Sequence, residues 1–218
     1  LPPDGTVKSS TPARTRLFVG GSSGNVKYSE SHSPKSSVDV EAALLQGPAV
    51  ASKVKDVVSS GKLGTIVSAN VLCWLYKHKE YYKETWRTIK GAGPLGINLV
   101  HDIDLICYLL GPVQFVQAFT SNKNRKYKVE DTAVVSLVFK SGALCTLNIS
   151  DTIVAPWSYE LTAGENPAYP ITNQSAYMIG GTKSSLQFPN LKKWFYKNER
   201  SWWNKILVKE DKKKNDNT

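Results

Sequence analysis

Residues 131–151 read Asp-Thr-Ala-Val-Val-Ser-Leu-Val-Phe-Lys-Ser-Gly-Ala-Leu-Cys-Thr-Leu-Asn-Ile-Ser-Asp, two apolar runs on either side of a Lys-Ser-Gly turn. Runs that are rich in β-branched residues and bounded by turn residues are typical of strands. Because the turn is short, we predict a β-hairpin with strands at 131–139 and 143–151. Positions 133–139 are almost continuously apolar, so we expect a helix to cover one face of this strand and a further layer, such as a second copy of the chain, to cover the other.

The sequence on both sides of the hairpin carries signals for more strands and for two helices. The same composition predicts strands at 65–75, 113–121, 157–163, 176–180, 184–188 and 192–197. Apolar residues at helical spacing predict helices at 39–60, with a break near Gly47-Pro48, and at Leu95–Leu110. The fold class that follows is α+β, with a large, mostly antiparallel β-sheet and helices packed on one face.

Composition divides the chain into three parts. Residues 1–40 hold nine Ser, four Pro and four Gly with few large apolar groups, so we predict that 1–48 is an irregular N-terminal segment, apart from a short strand at 17–21. Residues 49–204 carry the helix and strand signals and are predicted to form the α+β domain. Residues 205–218 are predicted to be a basic polar tail.

The chain is basic, with 28 Lys and Arg against 18 Asp and Glu and a formal net charge of +10. Residues 191–214 hold nine basic and three acidic side chains beside several aromatic residues. Such a stretch could bind nucleic acid through phosphate contacts and base stacking. The lysines after Lys209 lie in a polar run without apolar neighbours, so we favour a solvated tail over a nucleic acid site.

The cysteines and the N-terminal residues bear on the compartment. Cys73, Cys107 and Cys145 are far apart and form no CxxC pair, so we predict buried free thiols in a reducing compartment and no metal site. The first residues lack the basic and apolar regions of a secretory signal, and no run approaches the roughly 18–20 apolar residues of a membrane helix. We therefore expect a soluble, cytoplasmic protein without a membrane partner.

The densest polar group within apolar sequence is at 98–104, Asn-Leu-Val-His-Asp-Ile-Asp. On a helix, Asn98, His101 and Asp102 are three or four residues apart and are expected to share a face. A neighbouring carboxylate can set the tautomer and the proton affinity of a histidine, as a general acid–base requires. The glycines within 91–93 would let a ligand approach the start of the helix. Two interpretations stay open: a ligand site, or the solvated polar face of a helix.

Five further residues in two loops are candidate ligand contacts. They are Trp86, Arg87, Glu165, Asn166 and Tyr169. The Trp-Arg pair lies in a charged and aromatic loop, 77–90, and offers either a stacking surface with a forked donor or a surface cation–π contact. The other three lie in 163–170 and could hydrogen-bond a polyol, or could belong to an ordinary loop interrupted by prolines.

Seven stretches of the sequence, in order and spacing, resemble the C-terminal domain of the glucose–fructose oxidoreductase and inositol dehydrogenase family (Gfo/Idh/MocA). They are 57–66, Trp86-Arg87, 91–104 (GAGPLGINLVHDID), 108–111, 129–133, 139–143 and 180–186. The resemblance covers residues from about 53 to 203, roughly two-thirds of the chain.

The resemblance implies a fold, a class of ligand and a mode of assembly. In this family the domain is a mostly antiparallel sheet with helices on one face, it commonly binds a sugar or polyol, and its open sheet face often forms a dimer. A preceding Rossmann domain binds NAD(P), and hydride passes between the nicotinamide and a substrate carbon. By this resemblance His101 is the catalytic residue that exchanges the proton of a substrate hydroxyl, and the other candidates named above contact the substrate.

The sequence departs from the family pattern in two places. The family places an Asp four residues before the His, and here that position is Ile97, with Asn98 beside it. The cofactor domain is also missing: residues 20–25 have the wrong glycine spacing for a dinucleotide site, so we expect a flexible loop there. We therefore expect no cofactor-binding residue in this chain, although NAD(P) is implied for full-length family members.

The function expected from these observations is that of a substrate-binding and dimerisation domain without turnover on its own. The chain would be either a fragment of a longer enzyme or a truncated relative. The alternative is a non-catalytic interaction protein derived from the same family. The first hypothesis includes a homodimer formed through the sheet face and a small sugar or polyol ligand. In the second, the sheet face holds either a second copy of the chain or another partner.

Overall fold

The structure, a computed structural model, describes residues 18–20 and 49–210. In this part of the chain nine strands form a single sheet, accompanied by three α-helices. The helices are α1 (Ala49–Ser59), α2 (Val100–Leu110), which follows a π-helical turn (Leu95–Leu99), and α3 (Tyr159–Ala163). The strands are β1 (Phe18–Gly20), β2 (Ile66–Trp74), β3 (Val113–Ser121), β4 (Thr132–Phe139), β5 (Leu144–Ser150), β6 (Tyr177–Gly181), β7 (Ser184–Phe188), β8 (Lys192–Phe195) and β9 (Leu207–Glu210).

The strand order in the sheet is β1-β3-β4-β5-β2-β6-β7-β8-β9. Neighbouring strands are antiparallel except for two pairs, β1 with β3 and β2 with β5, which are parallel. The predicted α+β class with a mostly antiparallel sheet is therefore confirmed. The hairpin that led the prediction is β4–β5, and Gly142 closes its turn with a φ of 87°, a conformation that glycine adopts without strain.

Two helices pack together on one side of the sheet and fix the position of the candidate site. α2 buries the residues at positions 105, 106 and 109 against the sheet and ends at Gly111, as predicted. α1 buries Val54, and Lys55 of the same helix donates to the carbonyl of Tyr108 at 2.7 Å. That bond satisfies one of the free carbonyls at the end of α2 and joins the two helices.

The two faces of the sheet differ in cover. In β4 the side chains of Ala133, Val135, Leu137 and Phe139 are buried beneath the helices, and those of Val134 and Ser136 are exposed on the other side. Within the described residues only one face of the sheet is covered, because every described helix that packs on the sheet core lies on the same side. We call the uncovered side the open face. Its exposed apolar residues are Phe115, Phe119, Val134, Leu144, Met178 and Val208.

The strand predicted at 157–163 is wrong, because residues Tyr159–Ala163 form helix α3. Ser158 caps this helix by accepting a hydrogen bond from the backbone N–H of Leu161 at 3.3 Å, and Gly164 ends it with a φ of 70°. These two caps, together with the helix formers Glu, Leu and Ala between them, outweigh the preference of the aromatic residues at 157 and 159 for a strand. The remaining predicted strands within the described residues differ from the observed ones only at their ends.

The C-terminal boundary also differs from the prediction. Residues 207–210, placed in the polar tail by sequence, form β9, which pairs with β8. Val208 lies opposite Trp194, and the Lys192 ammonium lies 3.0 Å from the Glu210 carboxylate, so both an apolar and an ionic contact favour pairing. The rest of the tail and most of the segment 1–48 lie outside the described residues, although β1 falls within the short strand predicted at 17–21.

Among residues 18–20 and 49–210, no helix is long and apolar enough to cross a membrane. The three cysteines are free thiols: Cys73 and Cys145 are buried, as predicted, and Cys107 is half-buried.

Candidate functional site

The segment that leads into α2 is shaped by a glycine and a carboxylate. A Cβ at Gly93 would collide with the carboxylate end of the Glu130 side chain, which would have to move away. Glu130 Oε1 accepts a hydrogen bond from the backbone N–H of Leu95 at 3.1 Å. One of the free donors at the start of the helix is therefore satisfied by the protein's own carboxylate, which favours a structural role for these glycines over anion binding.

The side chain of Asn98 accepts a hydrogen bond from a buried lysine that was not among the predicted site residues. The Lys77 Nζ donates to Asn98 Oδ1 at 2.7 Å. Lys77 is only 8% exposed, and its ammonium lies 4.8 Å from the centre of the Tyr81 ring. Burial lowers the pKa of Lys77, and the nearby Asp151 carboxylate opposes that shift.

The backbone of Lys77 is fixed by a second layer of polar contacts. Its N–H donates to the carbonyl of Asp151 at 2.9 Å, and its carbonyl accepts from Arg125 Nη2 at 2.7 Å. Arg125 Nε lies 2.6 Å from Asp151 Oδ1, and the Tyr82 hydroxyl donates to the other oxygen of the same carboxylate. Asp131 in turn accepts from the N–H of Arg125 at 2.9 Å. The position of the Lys77 ammonium is therefore determined by a network on the adjacent strand ends.

His101 and Asp102 point in different directions. His101 is exposed, one helical turn from the half-buried Asn98. Asp102 is 4% exposed and accepts a hydrogen bond from the Tyr177 hydroxyl beneath the helix, beside the Cys73 thiol. The expectation that all three residues share one face is thus wrong for Asp102, which takes its partners from the sheet instead of orienting His101. Burial raises the pKa of Asp102 to about 7.

Arg87 lies against the same tyrosine ring as Lys77. Its guanidinium is 4.1 Å from the centre of the Tyr81 ring, and its Nη1 donates to the Tyr81 carbonyl at 2.8 Å. The centre of the Trp86 ring, a residue that is 51% exposed, lies 5.2 Å from the same guanidinium. Tyr81 therefore connects Arg87 to Lys77 and, through it, to Asn98. Among the described residues the buried Nε of Arg87 has no hydrogen-bond partner.

The polar side chains of the loop that follows α3 form hydrogen bonds to residues within the loop or in α3. Tyr159 donates to Glu165 Oε1 at 3.1 Å, and Asn166 Oδ1 accepts from the N–H of Ala168 at 2.9 Å, which is a local turn. Tyr169 is half-buried. Within residues 49–210 no hydrogen bond joins this loop to the start of α2.

The candidate site is thus the cluster of Lys77, Tyr81, Arg87, Asn98 and His101, which we call the α2 site. Lys77 and Tyr81 were missed because the sequence shows only a charged, aromatic loop there. The one visible signal was a lysine three residues after a long strand. Groups of three or more potential metal ligands do not occur in the described part of the chain. Within residues 49–210 no strand passes through a glycine-rich turn into a helix, so this part of the chain does not fit a dinucleotide cofactor.

Comparison with known proteins gives a family model and a set of similar folds. Residues 51–187 match the model described as the GFO/IDH/MocA C-terminal domain. A search of curated proteins finds no matching sequence.

Solved structures with this fold include three dehydrogenases or oxidoreductases. The WlbA dehydrogenase from Bordetella pertussis, in complex with NADH and UDP-GlcNAcA, is 24% identical, with a TM-score of 0.55 over 71% of this chain and 45% of that chain. The WlbA dehydrogenase from Chromobacterium violaceum is 25% identical, with a TM-score of 0.54 over 72% and 43%. An oxidoreductase from Thermotoga maritima is 20% identical, with a TM-score of 0.53 over 75% and 43%. The chain therefore spans less than half the length of these structures.

Proposed function

The chain belongs to the GFO/IDH/MocA family through its C-terminal domain, and we propose that this domain binds a hydroxylated small molecule, a sugar or polyol, at the α2 site. The observation that carries the proposal is the hydrogen bond from the buried Lys77 ammonium to Asn98 Oδ1. An ammonium group has only donors, so it fixes which end of the amide faces it. The Nδ2 group of Asn98 is left as a donor, without a partner among the described residues, one turn from the exposed His101.

Such an arrangement suits a ligand with a hydroxyl oxygen that can accept a hydrogen bond from Asn98 Nδ2 and exchange a proton with the His101 imidazole. Imidazole is the side chain that gains and loses a proton near neutral pH, which makes His101 the candidate acid–base group for a ligand hydroxyl. Arg87 and the exposed Trp86 ring beside it would provide a charged and an apolar contact at the edge of the site. Ile97, where the family places its Asp, supplies no second acid–base group.

Hydride transfer would require a nicotinamide cofactor, such as the NADH bound in the WlbA dehydrogenase from Bordetella pertussis. Residues 49–210 do not fit this cofactor. For the 218-residue chain by itself we propose ligand binding without turnover.

We predict that replacing His101 by alanine weakens ligand binding roughly fivefold, the size of one lost hydrogen bond to the ligand. Asn98→Asp, which keeps the size and the Lys77 contact but exchanges a donor for an acceptor, should weaken it at least as much. The measurement is NMR-detected titration of the full chain with polyols, sugars, sugar acids and UDP-GlcNAcA.

The matched control for this prediction is His78→Ala. His78 is exposed, makes no side-chain capping bond and follows Lys77 in extended backbone, so its side chain faces away from Asn98. Equal losses in His101→Ala and His78→Ala, or no ligand in the panel that binds the wild-type chain, would argue against the proposal.

We also propose that the open face forms a homodimer. Its support is the group of exposed apolar side chains on this face, with Phe119 55% exposed, Leu144 54% exposed and Val134 39% exposed. Polar side chains such as Ser136 and Thr146 lie between them. Exposed aromatic and aliphatic side chains interspersed with polar ones are typical of a protein interface. A second copy of the chain would cover the same side chains on both partners.

Replacing Val134 by glutamate is expected to weaken the dimer by about 100-fold or more, since it buries a charge beside Phe119 on the open face. Val134 is exposed in the single chain, so the monomer should still fold. Sedimentation velocity over a concentration series measures the effect. Val154→Glu, at a loop residue that is 86% exposed, is the control and should leave the dimer intact. A wild-type chain that is monomeric at high concentration would contradict the proposal.

A second candidate function is that of a non-catalytic interaction protein, in which only the open face is used. It is favoured by Ile97 at the family's Asp position. A chain that dimerises through Val134 but binds nothing in the ligand panel would support this candidate over the first.

A further inference from the structure

A cavity of about 290 Å³ lies between α1 and the strands β7, β8 and β9. It shares no residue with the α2 site. Two leucines and a valine form its apolar part, and its charged residues are Lys53, Asp56, Lys62, Lys193 and Lys209. Its volume is close to the lower end of the range for small-molecule sites. We call this cavity the lysine pocket.

The β8–β9 pair brings two of these lysines together. Lys193 lies directly opposite Lys209, and both face α1. One position along the same pair, Lys192 lies opposite Glu210, and their charged groups are 3.0 Å apart. Like charges in directly opposed positions destabilise a sheet, and opposite charges stabilise it. The β8–β9 pair therefore has a favourable charge pair, Lys192 with Glu210, on the open face, and an unfavourable one, Lys193 with Lys209, inside the pocket.

The other two lysines of the pocket come from α1 and the loop after it. Within the described residues, the side chains of Lys53, Lys62, Lys193 and Lys209 make no hydrogen bond or ion pair. Lys55 on the same helix differs, because it binds the carbonyl of Tyr108. Asp56 is the one acid in the lining, so four ammonium groups surround a cavity with a net charge of three positive units.

We infer that the lysine pocket binds a small polyanion of the phosphate class, such as a pyrophosphate or a phosphate ester. Ammonium groups are common partners of phosphate oxygens, and several of them around one cavity favour a ligand with at least two negative charges. The apolar part of the wall gives an ester an additional surface to contact. The small volume excludes a macromolecular strand. This inference does not depend on the function proposed for the α2 site.

The test is titration of the full chain with pyrophosphate, followed by NMR or calorimetry at low salt. Lys209→Glu is expected to have two opposite effects. It should weaken pyrophosphate binding by about tenfold or more, because it removes one cation and adds a repelling charge. It should also raise the thermal midpoint of the unliganded chain, because Lys193 then faces an opposite charge.

Lys205→Glu is the matched control, since it makes the same charge change at an exposed residue between β8 and β9, outside the pocket. The inference predicts that this variant binds pyrophosphate nearly as well as the wild-type chain. Equal losses in the two variants would overturn it, because they would mean that only net charge matters. So would the absence of pyrophosphate binding, or binding of a single-stranded oligonucleotide alone.

A second variant and a second ligand complete the test. If Lys209→Glu does not fold, Lys193→Gln removes the like-charge pair without adding an acid, and the same pair of effects is expected in smaller size. Glucose 6-phosphate distinguishes the sources of the anion: tighter binding than pyrophosphate supports an ester that contacts the apolar wall, and tighter binding of pyrophosphate supports recognition of the phosphates alone.

Discussion

Replacing Arg125 by methionine is expected to lower the free energy of unfolding by about 3–5 kcal/mol, because it leaves a buried carboxylate without its partner charge. The side chain of Asp151 is 2% exposed, and that of Arg125 is 14% exposed. Methionine preserves much of the buried volume, so the loss measures the charge and not a cavity. The measurement is chemical denaturation monitored by tryptophan fluorescence and circular dichroism.

The same substitution is expected to loosen the contact between Lys77 and Asn98 in the α2 site. Arg125 Nη2 binds the carbonyl of Lys77, and without it the Lys77 backbone keeps only the bond to Asp151. A less restricted Lys77 ammonium would hold Asn98 Oδ1 less firmly, which would free the amide to rotate. We therefore expect the Asn98 side-chain amide resonances to change in the variant under conditions in which the chain is still folded.

The control is Lys128→Met, an exposed lysine in the same loop, which should change the free energy of unfolding by less than about 0.5 kcal/mol. Adding Asp151→Asn to Arg125→Met removes the unpaired charge and should recover part of the loss. A single Arg125 variant that is as stable as the Lys128 variant would mean that the ion pair contributes nothing net to folding.

All of the described strands except β9 could be predicted from sequence, because their signal is local. In β4, buried and exposed residues alternate along the strand, and the turn at Gly142 needs only its own backbone conformation. α3 shows the limit of this approach. Trp157 and Tyr159 led to the prediction of a strand, but the caps at Ser158 and Gly164 enclose helix-forming residues. The capping residues were the signal in the sequence for this helix.

The α2 site was only partly predictable because its key contacts join distant parts of the chain. His101 and Asn98 lie within one motif, and the resemblance pointed to both. Lys77 lies 21 residues from Asn98, and its burial depends on Asp151 and Arg125, far along the sequence. Residue type and spacing carry no information about such contacts, since they are set by the pairing of β2 with β5.

Asp102 shows the same limit on a helix. A helical pattern places it on the polar side of α2, next to His101, but does not say which part of that side faces the sheet. The decision comes from Tyr177, 75 residues away, whose hydroxyl donates to the carboxyl group. The residue that looked like a partner for His101 is instead a buried acid with a pKa of about 7.

That buried acid leads to the second large prediction, which concerns pH. The pKa of Asp102 rises from 3.8 to about 7 on folding, mainly through burial and against the effect of the Tyr177 hydrogen bond. Between these values the folded chain keeps a proton that the unfolded chain has released. The contribution of Asp102 to stability is therefore greatest below a pH of about 4, falls as the pH rises, and is lost above a pH of about 7.

Asp102→Asn removes this dependence, because the amide is neutral at every pH and its Oδ1 can still accept from the Tyr177 hydroxyl. At about 1.4 kcal/mol per pH unit, the interval between pH of about 5 and 7 corresponds to about 3 kcal/mol. Relative to the wild type, the variant is thus expected to gain about 3 kcal/mol in free energy of unfolding between pH of about 5 and 8. Urea denaturation of both proteins at the two pH values measures the gain.

Asp104→Asn is the matched control, since it makes the same chemical change on the same helix at an exposed position. Its difference from the wild type should be within about 0.5 kcal/mol and nearly the same at both pH values. If the Asp102 variant also differs from the wild type by a constant amount, Asp102 is ionised throughout this range in the folded chain. In that case its buried charge would need a cation, and the polar group beneath α2 would have to be explained by a partner other than Tyr177 and Cys73.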